Sequence, residues 1–94
     1  MFRYKRSVPV SRRWQGYIYY KSLLFNELPE DERMAIIALC DECGGEYADA
    51  LRLFVTTETG ATAVCMRHSL SKSTLYRAQR KFYREFAKRK QRGE

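Results

Sequence analysis

The chain has 94 residues and a formal net charge of +7 at pH 7, and 45% of its residues are hydrophobic. This apolar content can supply a folded core and excludes global disorder, and the length favours one domain with a modest core. No apolar run approaches the roughly 18 residues of a membrane-spanning helix, which excludes a protein built from such helices.

The charges are distributed unevenly along the chain. Residues 1–24 contain six basic residues and no acidic residue, whereas residues 25–58 contain two basic and nine acidic residues. Residues 59–94 contain ten basic and two acidic residues. A basic N-terminal segment and a basic C-terminal third are typical of a protein with a polyanionic partner. The alternative is a charged surface that only meets water.

The first quarter of the chain is expected to form an arm and a helix. Residues 1–10 are predicted to be a flexible basic arm, since Pro9 and its neighbouring valines favour an extended chain. Ser11 can cap a first helix that ends near residue 25. Its predicted stripe, at three- and four-residue spacing, consists of Trp14, Tyr17, Ile18, Lys21, Leu24 and Phe25. Gly16 and the β-prone run after it leave a short strand as the alternative.

Two further helices are predicted in the acidic middle of the chain. Pro29 favours the first position of a helix, the acids that follow it suit the positive end of the helix dipole, and Gly44 with Gly45 ends the helix. Its expected apolar residues are Met34, Ile36, Ile37 and Cys40. A third helix, from about Glu46 to Thr56, has a complete apolar face formed by Tyr47, Ala50, Leu51, Phe54 and Val55.

Residues 61–90 have the pattern of a helix-turn-helix. A short helix from Ala61 to about His68 is followed by a three-residue turn and by a long helix that Ser71 caps. Ser69 occupies the turn position that usually holds glycine, which a polar residue can also adopt. The residues expected to pack the two helices together are Val64, Cys65, Leu70, Leu75, Ala78, Phe82 and Phe86.

The outer face of the long helix is the predicted nucleic-acid contact. An α-helix fits the major groove of DNA, and the N-terminal part of a recognition helix meets the base edges. The predicted base contacts are Ser71, Lys72, Ser73, Tyr76, Arg77 and Arg80. The predicted phosphate contacts are Arg67, Lys81, Arg84, Lys88 and Arg89. In the alternative, this helix is amphipathic and its basic face is only solvated.

Residues 64–82 resemble region four of sigma factors and the small phage and mobile-element regulators of the RinA/ArpU type. Those regulators have a similar Ser-x-x-Thr-(aliphatic)-Tyr-Arg motif, which is Ser71-Lys-Ser-Thr-Leu-Tyr-Arg77 in this chain. Residues 28–33 are similar to the helix that opens region four, and the resemblance extends over roughly residues 28–90. It implies a transcription regulator whose partners are duplex DNA and RNA polymerase, with recognition roles for the predicted base contacts.

These patterns predict an all-α fold, a small single-domain helical bundle over residues 11–94 with a C-terminal helix-turn-helix and a long recognition helix. The predicted function is sequence-specific binding of double-stranded DNA in transcription regulation. A homodimer is expected, because two recognition helices can read two half-sites. The candidate dimer interface is the first helix, with Trp14, Tyr17, Tyr19 and Tyr20. In the alternative, the chain is a protein-interaction module whose acidic helices of residues 29–56 bind a basic partner, or an inhibitor that occupies the site of a nucleic-acid-handling partner.

The cysteines allow a second kind of site. Cys40, Cys43, Cys65 and His68 have the spacing of a Cys3His zinc set. Because Cys65 fills a packing position and Cys40 lies on an apolar face, we expect free thiols, no metal and no cofactor. An odd cysteine count without a secretory signal indicates a reducing, cytoplasmic location. Enzyme activity is not expected, since His68 is the only histidine and no nucleophile with a base partner can be proposed.

Overall fold

The computed structural model describes residues 2–91, which form α-helices and two short 3-10 helices without any β-strand. The helices are α1 (Arg12–Leu23), α2 (Glu30–Gly44), α3 (Ala48–Thr56), α4 (Ala61–His68) and α5 (Lys72–Gln91), and the 3-10 helices cover Phe25–Glu27 and Gly45–Tyr47. The predicted all-α class is confirmed, and the alternative of a short strand in the first helix is wrong. No helix within residues 2–91 has the length and apolar content needed to cross a membrane.

Local signals set the ends of the helices. The Ser11 hydroxyl accepts a hydrogen bond from the Trp14 backbone N–H at 3.3 Å, which caps α1 as predicted. Pro29 is the residue before α2 and not its first helical residue, because its ψ of 154° is extended. Gly45, with φ of 55°, turns the chain after α2. The 3-10 turn at this point delays the start of α3 to Ala48.

The core consists of two apolar clusters that both include residues of α5. The first cluster lies among α1, α2, α3 and α5 and contains the buried side chains of Ile18, Leu51 and Phe82. The second lies among α3, α4 and α5 and contains Val64 and Leu75. The seven helix-turn-helix packing residues named from the sequence are buried, except Leu70, which is partly buried against the second cluster.

The buried faces of α1 and α2 differ from the predicted stripes. Tyr17 and Leu24 are 43% and 48% exposed, and Met34 of α2 is 56% exposed. The buried residues of α1 are Gln15, Ile18 and Ser22. The buried residues of α2 are Ile36, Leu39, Cys40 and Cys43. In α1 the apolar pattern was misleading because two of its three buried side chains are polar.

The N-terminal segment, which was expected to be a flexible arm, packs against α1 and the core. Val8 is buried in the first cluster. The fully buried amide of Gln15 accepts a hydrogen bond from the Lys5 backbone N–H at 3.0 Å and donates to the backbone carbonyls of Lys5 at 3.0 Å and Val10 at 2.9 Å. A buried amide requires such partners, and the backbone of residues 5–10 supplies them.

All three cysteines are free and buried. Cys40 and Cys43 lie in the first cluster, and Cys65 lies in the second. Burial disfavours the thiolate, which raises the pKa of Cys40 to about 12 and that of Cys43 to about 11. These two thiols therefore serve as small apolar core residues and not as nucleophiles.

Replacement of Gln15 by alanine should lower the free energy of unfolding by about 1–3 kcal/mol, since partly buried backbone groups lose their hydrogen-bond partner. Urea denaturation measures this change, and hydrogen exchange of the Lys5 amide should accelerate in the variant. Gln91→Ala, at the exposed end of α5, is the control and should unfold as the wild type does. Equal stability of Gln15→Ala and wild type would contradict the anchoring role of Gln15.

The folded protein should resist alkylation at Cys40 and Cys43, because little thiolate exists at neutral pH and the sulfur atoms are buried. Treatment with iodoacetamide at pH 8, followed by peptide mass spectrometry, should find these two residues almost unmodified. The same treatment in concentrated urea should modify all three cysteines. Rapid labelling of Cys40 in the native protein would show that this part of the core is open.

Candidate nucleic-acid interface

The connection between α4 and α5 is a three-residue turn with a defined geometry. Ser69 adopts a left-handed conformation, with φ of 55° and ψ of 50°, as the turn position usually held by glycine requires. The backbone N–H of Leu70 donates to the Cys65 carbonyl at 3.1 Å, and the Leu70 side chain packs on the second cluster. Because this turn fixes the packing of α4 against α5, one face of α5 is buried and the opposite face is exposed to solvent.

The exposed face of α5 carries a stripe of cations. At 3.6 residues per turn, positions 77, 81, 84 and 88 fall on one side of the helix, opposite the buried Phe82 and Phe86. The exposed residues of α5 in this region are Lys72, Ser73, Arg77, Lys81, Arg84 and Lys88. From position 77 to position 88 the stripe is roughly 16 Å long, at about 1.5 Å per residue.

Three of the predicted base contacts have a second role. The Ser71 hydroxyl accepts a hydrogen bond from the Thr74 backbone N–H at 3.2 Å and also bonds to the Thr74 hydroxyl, so it caps α5. The ring of Tyr76 packs edge-on against Phe54, with centroids 6.0 Å apart. Arg80 is half-buried beside this ring. The predicted base contacts Lys72, Ser73 and Arg77 are exposed and free of these roles.

Acidic partners offset part of the positive charge at the end of α5, whereas the described cations at its beginning form no ion pair. The Arg89 guanidinium donates to the Glu42 carboxylate of α2 at 2.5 Å, which raises the pKa of Arg89 and lowers that of Glu42. Glu85 lies 3.7 Å from Arg84 and 3.9 Å from Lys88. The cations that form no ion pair with another described residue include Arg67, Lys72, Arg77, Arg80 and Lys81. Apart from Lys90 near the end of α5, the cations without an ion pair in this region therefore lie on the first half of α5 and at the end of α4.

A cleft between the N-terminal segment and α5 adds residues that the sequence patterns did not identify. Its volume is about 310 Å³, and it is lined by Lys5, Arg6, Ser7, Tyr76, Gln79 and Arg80. The Lys5 ammonium lies 4.9 Å from the centre of the Tyr76 ring, over its face. The only signal in the sequence for this cleft is the basic character of the first 24 residues, which does not indicate where they pack.

The four residues with the spacing of a zinc set are not brought together as one site. Cys40 and Cys43 lie in one core cluster, and Cys65 lies in the other. No group of three or more His, Cys, Asp or Glu side chains is placed to hold a metal ion in the part of the chain that the structure describes. Cys65 and His68 are three residues apart on α4 and remain without the other two ligands.

Comparison with protein-family models, characterised proteins and solved structures finds no match to this chain.

Proposed function

We propose that the protein is a sequence-specific double-stranded DNA-binding regulator of transcription, of the type found in phages and mobile elements. The observation that supports this best is the unpaired positive charge on the exposed first half of α5, next to the short turn from α4. The resemblance of residues 64–82 to sigma region four points to the same class of function. RNA polymerase as a further partner is supported by that resemblance alone.

In the proposed complex, the first turns of α5 enter the major groove. This groove is about 12 Å wide, whereas a helix of 20 residues such as α5 is about 30 Å long, so only part of α5 can meet the bases. Arg77, Lys72 and Ser73 are the exposed side chains at the end that enters. Arg77 can form two hydrogen bonds to one guanine, which is the commonest specific contact of an arginine.

Other cations of the proposed interface contact the DNA backbone. Lys81, Arg84 and Lys88 follow Arg77 along the same stripe and would meet phosphates as the helix leaves the groove. Arg67, exposed at the end of α4, would contact the backbone on the other side of the turn. Arg89 would have to exchange the Glu42 carboxylate for a phosphate, so we expect its contribution to be the smallest.

We also propose that two copies bind together on DNA. Tyr17 of α1 and Leu24, the residue that follows α1, are large side chains with substantial exposure, and Tyr20 is 54% exposed. Tyr19 and Tyr20 pack edge-on at 5.1 Å, which keeps them together as one aromatic surface. Aromatic side chains are enriched at protein interfaces. A dimer formed through α1 would read two half-sites and gain specificity.

Arg77→Ala should weaken binding to the preferred duplex by roughly 1–3 kcal/mol and remove discrimination at one base pair. Lys88→Ala should weaken binding to all duplexes about equally and reduce the slope of log K against log salt by about one. Fluorescence anisotropy with a duplex selected from a random library, over a salt series, measures both effects. If about five phosphates are neutralised, the wild-type slope should be near −4 to −5.

The control for these variants is Arg52→Ala, which removes a cation of α3 that is paired with Asp49 at 3.6 Å. It should bind DNA as the wild type does. Sequence preference that survives Arg77→Ala but is lost in Lys88→Ala would reverse the docking direction. If the wild type binds no duplex even at low salt, the alternative of a protein-interaction module is favoured and the proposal fails.

Sedimentation velocity with and without the selected duplex tests the dimer. The wild type should bind as two copies for each complete site, and Leu24→Glu should reduce this to one, because a charge cannot be buried unpaired in an apolar interface. Met34→Glu, on the exposed side of α2, is the matched control and should leave the stoichiometry unchanged. A wild-type monomer in both the free and the bound state would refute the dimer.

A further inference from the structure

The cleft between the N-terminal segment and α5 is built from anchored residues. Both backbone groups of Lys5 are hydrogen-bonded to the buried amide of Gln15, each at 3.0 Å. The carbonyl of Lys5 also accepts a hydrogen bond at 3.2 Å from the N–H of Val8, a core residue. The backbone is therefore fixed where the Lys5 side chain reaches the Tyr76 ring. The two walls of the cleft are held in position before any ligand binds.

The charge lining the cleft has one sign. Lys5, Arg6 and Arg80 contribute three cations, and no carboxylate is among the lining residues. None of the three cations forms an ion pair with another residue of the described chain. A concave surface with charges of one sign concentrates the electric field and attracts a counter-ion. The chemistry of the cleft is thus suited to an anion with several acceptor oxygens.

The neutral lining residues suit a hydrated anion. Ser7 offers a hydroxyl group that can donate to an oxygen. Gln79 is only 8% exposed, and its Oε1 has no hydrogen-bond partner among the described residues. Buried polar atoms nearly always have a partner in protein or ordered water. The cleft volume of about 310 Å³ holds a phosphate group together with several waters, of which each occupies about 30 Å³.

The position of the cleft relates it to the proposed DNA-binding face. Arg80 lies three residues after Arg77, which is about 4.5 Å along the helix axis. The cleft therefore flanks the side chains that are proposed to meet the bases. Long side chains at these two positions could therefore contact a base edge and a phosphate that borders the same groove.

We propose that this cleft binds a backbone phosphate of duplex DNA. In this proposal Lys5 and Arg6 are a second DNA-contacting element, and Arg80 is a phosphate ligand and not a base contact. The inference rests on the proposed DNA-binding function. In addition to that function, the inference states that the N-terminal segment and the first half of α5 both contact the DNA.

The test compares Lys5→Ala/Arg6→Ala with Arg52→Ala/Lys90→Ala. Both double variants lose two cations, but Arg52 and Lys90 lie outside the cleft, outside the cationic stripe of α5 and outside α1. The first variant keeps the backbone hydrogen bonds to Gln15, so urea denaturation should show wild-type stability. It should bind both selected and random duplexes roughly tenfold more weakly, with a salt slope reduced by about one. The Arg52→Ala/Lys90→Ala variant should change affinity by much less.

A neutral methylphosphonate, placed at each position of the selected duplex in turn, locates the phosphate. At one position beside the base pair read by Arg77, the substitution should weaken the wild type but not the Lys5→Ala/Arg6→Ala variant further. If no position shows this coupling, or if the two double variants bind alike, the inference is overturned although wild-type binding stands. If the wild type binds no duplex, both the proposed function and the inference fail.

A titration with inorganic phosphate tests whether the cleft binds a free phosphate ion and not a phosphate of the DNA backbone. The titration is monitored by the Lys5 and Arg6 amide resonances at constant ionic strength. Weak, unsaturated shifts are expected, because one free phosphate lacks the other contacts of a DNA duplex. Saturation at low phosphate concentration, with a normal salt slope for DNA binding in the Lys5→Ala/Arg6→Ala variant, would assign the cleft to a small anion and overturn the DNA contact.

Discussion

The burial of one apolar face of α5 is the interaction on which the rest of the molecule depends. Every other α-helix packs against α5. Leu75, near its start, belongs to the cluster with α3 and α4, whereas Phe82 and Phe86 belong to the cluster with α1 and α2. Burying a side chain of this size is worth roughly 1.5–3 kcal/mol, so the orientation of α5 about its own axis is strongly fixed. The opposite face, with Arg77 and Arg84, has to be exposed.

The acidic helix α2 compensates positive charge on one part of α5 only. It packs along the second half of α5, where Glu42 binds Arg89. Glu32 of the same helix bonds to Lys21 of α1 at 2.5 Å, and this hydrogen bond lowers the pKa of Glu32. Both pairs are partly exposed, so they add little stability. The main effect of the Glu42–Arg89 pair is on the distribution of charge, since it leaves the beginning of α5 as the more positive half.

How far the sequence predicts this structure depends on the range of the interactions involved. The caps at Ser11 and Ser71 and the bounds of α4 depend on neighbouring residues, and they were predicted correctly. The inner face of α5 was also predicted, because its apolar residues recur with the helical period. The buried face of α1 was not, because Gln15 and Ser22 are polar and their burial depends on tertiary packing. The cleft lies between residues 5–7 and residues 76–80. A local sequence pattern cannot predict a contact between segments so far apart in the chain.

We propose that the exposed face of α5 is the surface that meets DNA. Titration of the isotopically labelled protein with the selected duplex, followed by amide and arginine side-chain resonances, tests it directly. We predict the largest shifts at residues 72–84, with a second group at residues 5–7 and little change along α2. Shifts concentrated on α2 and α3, with α5 unaffected, would refute this proposal and identify the acidic face as the binding surface.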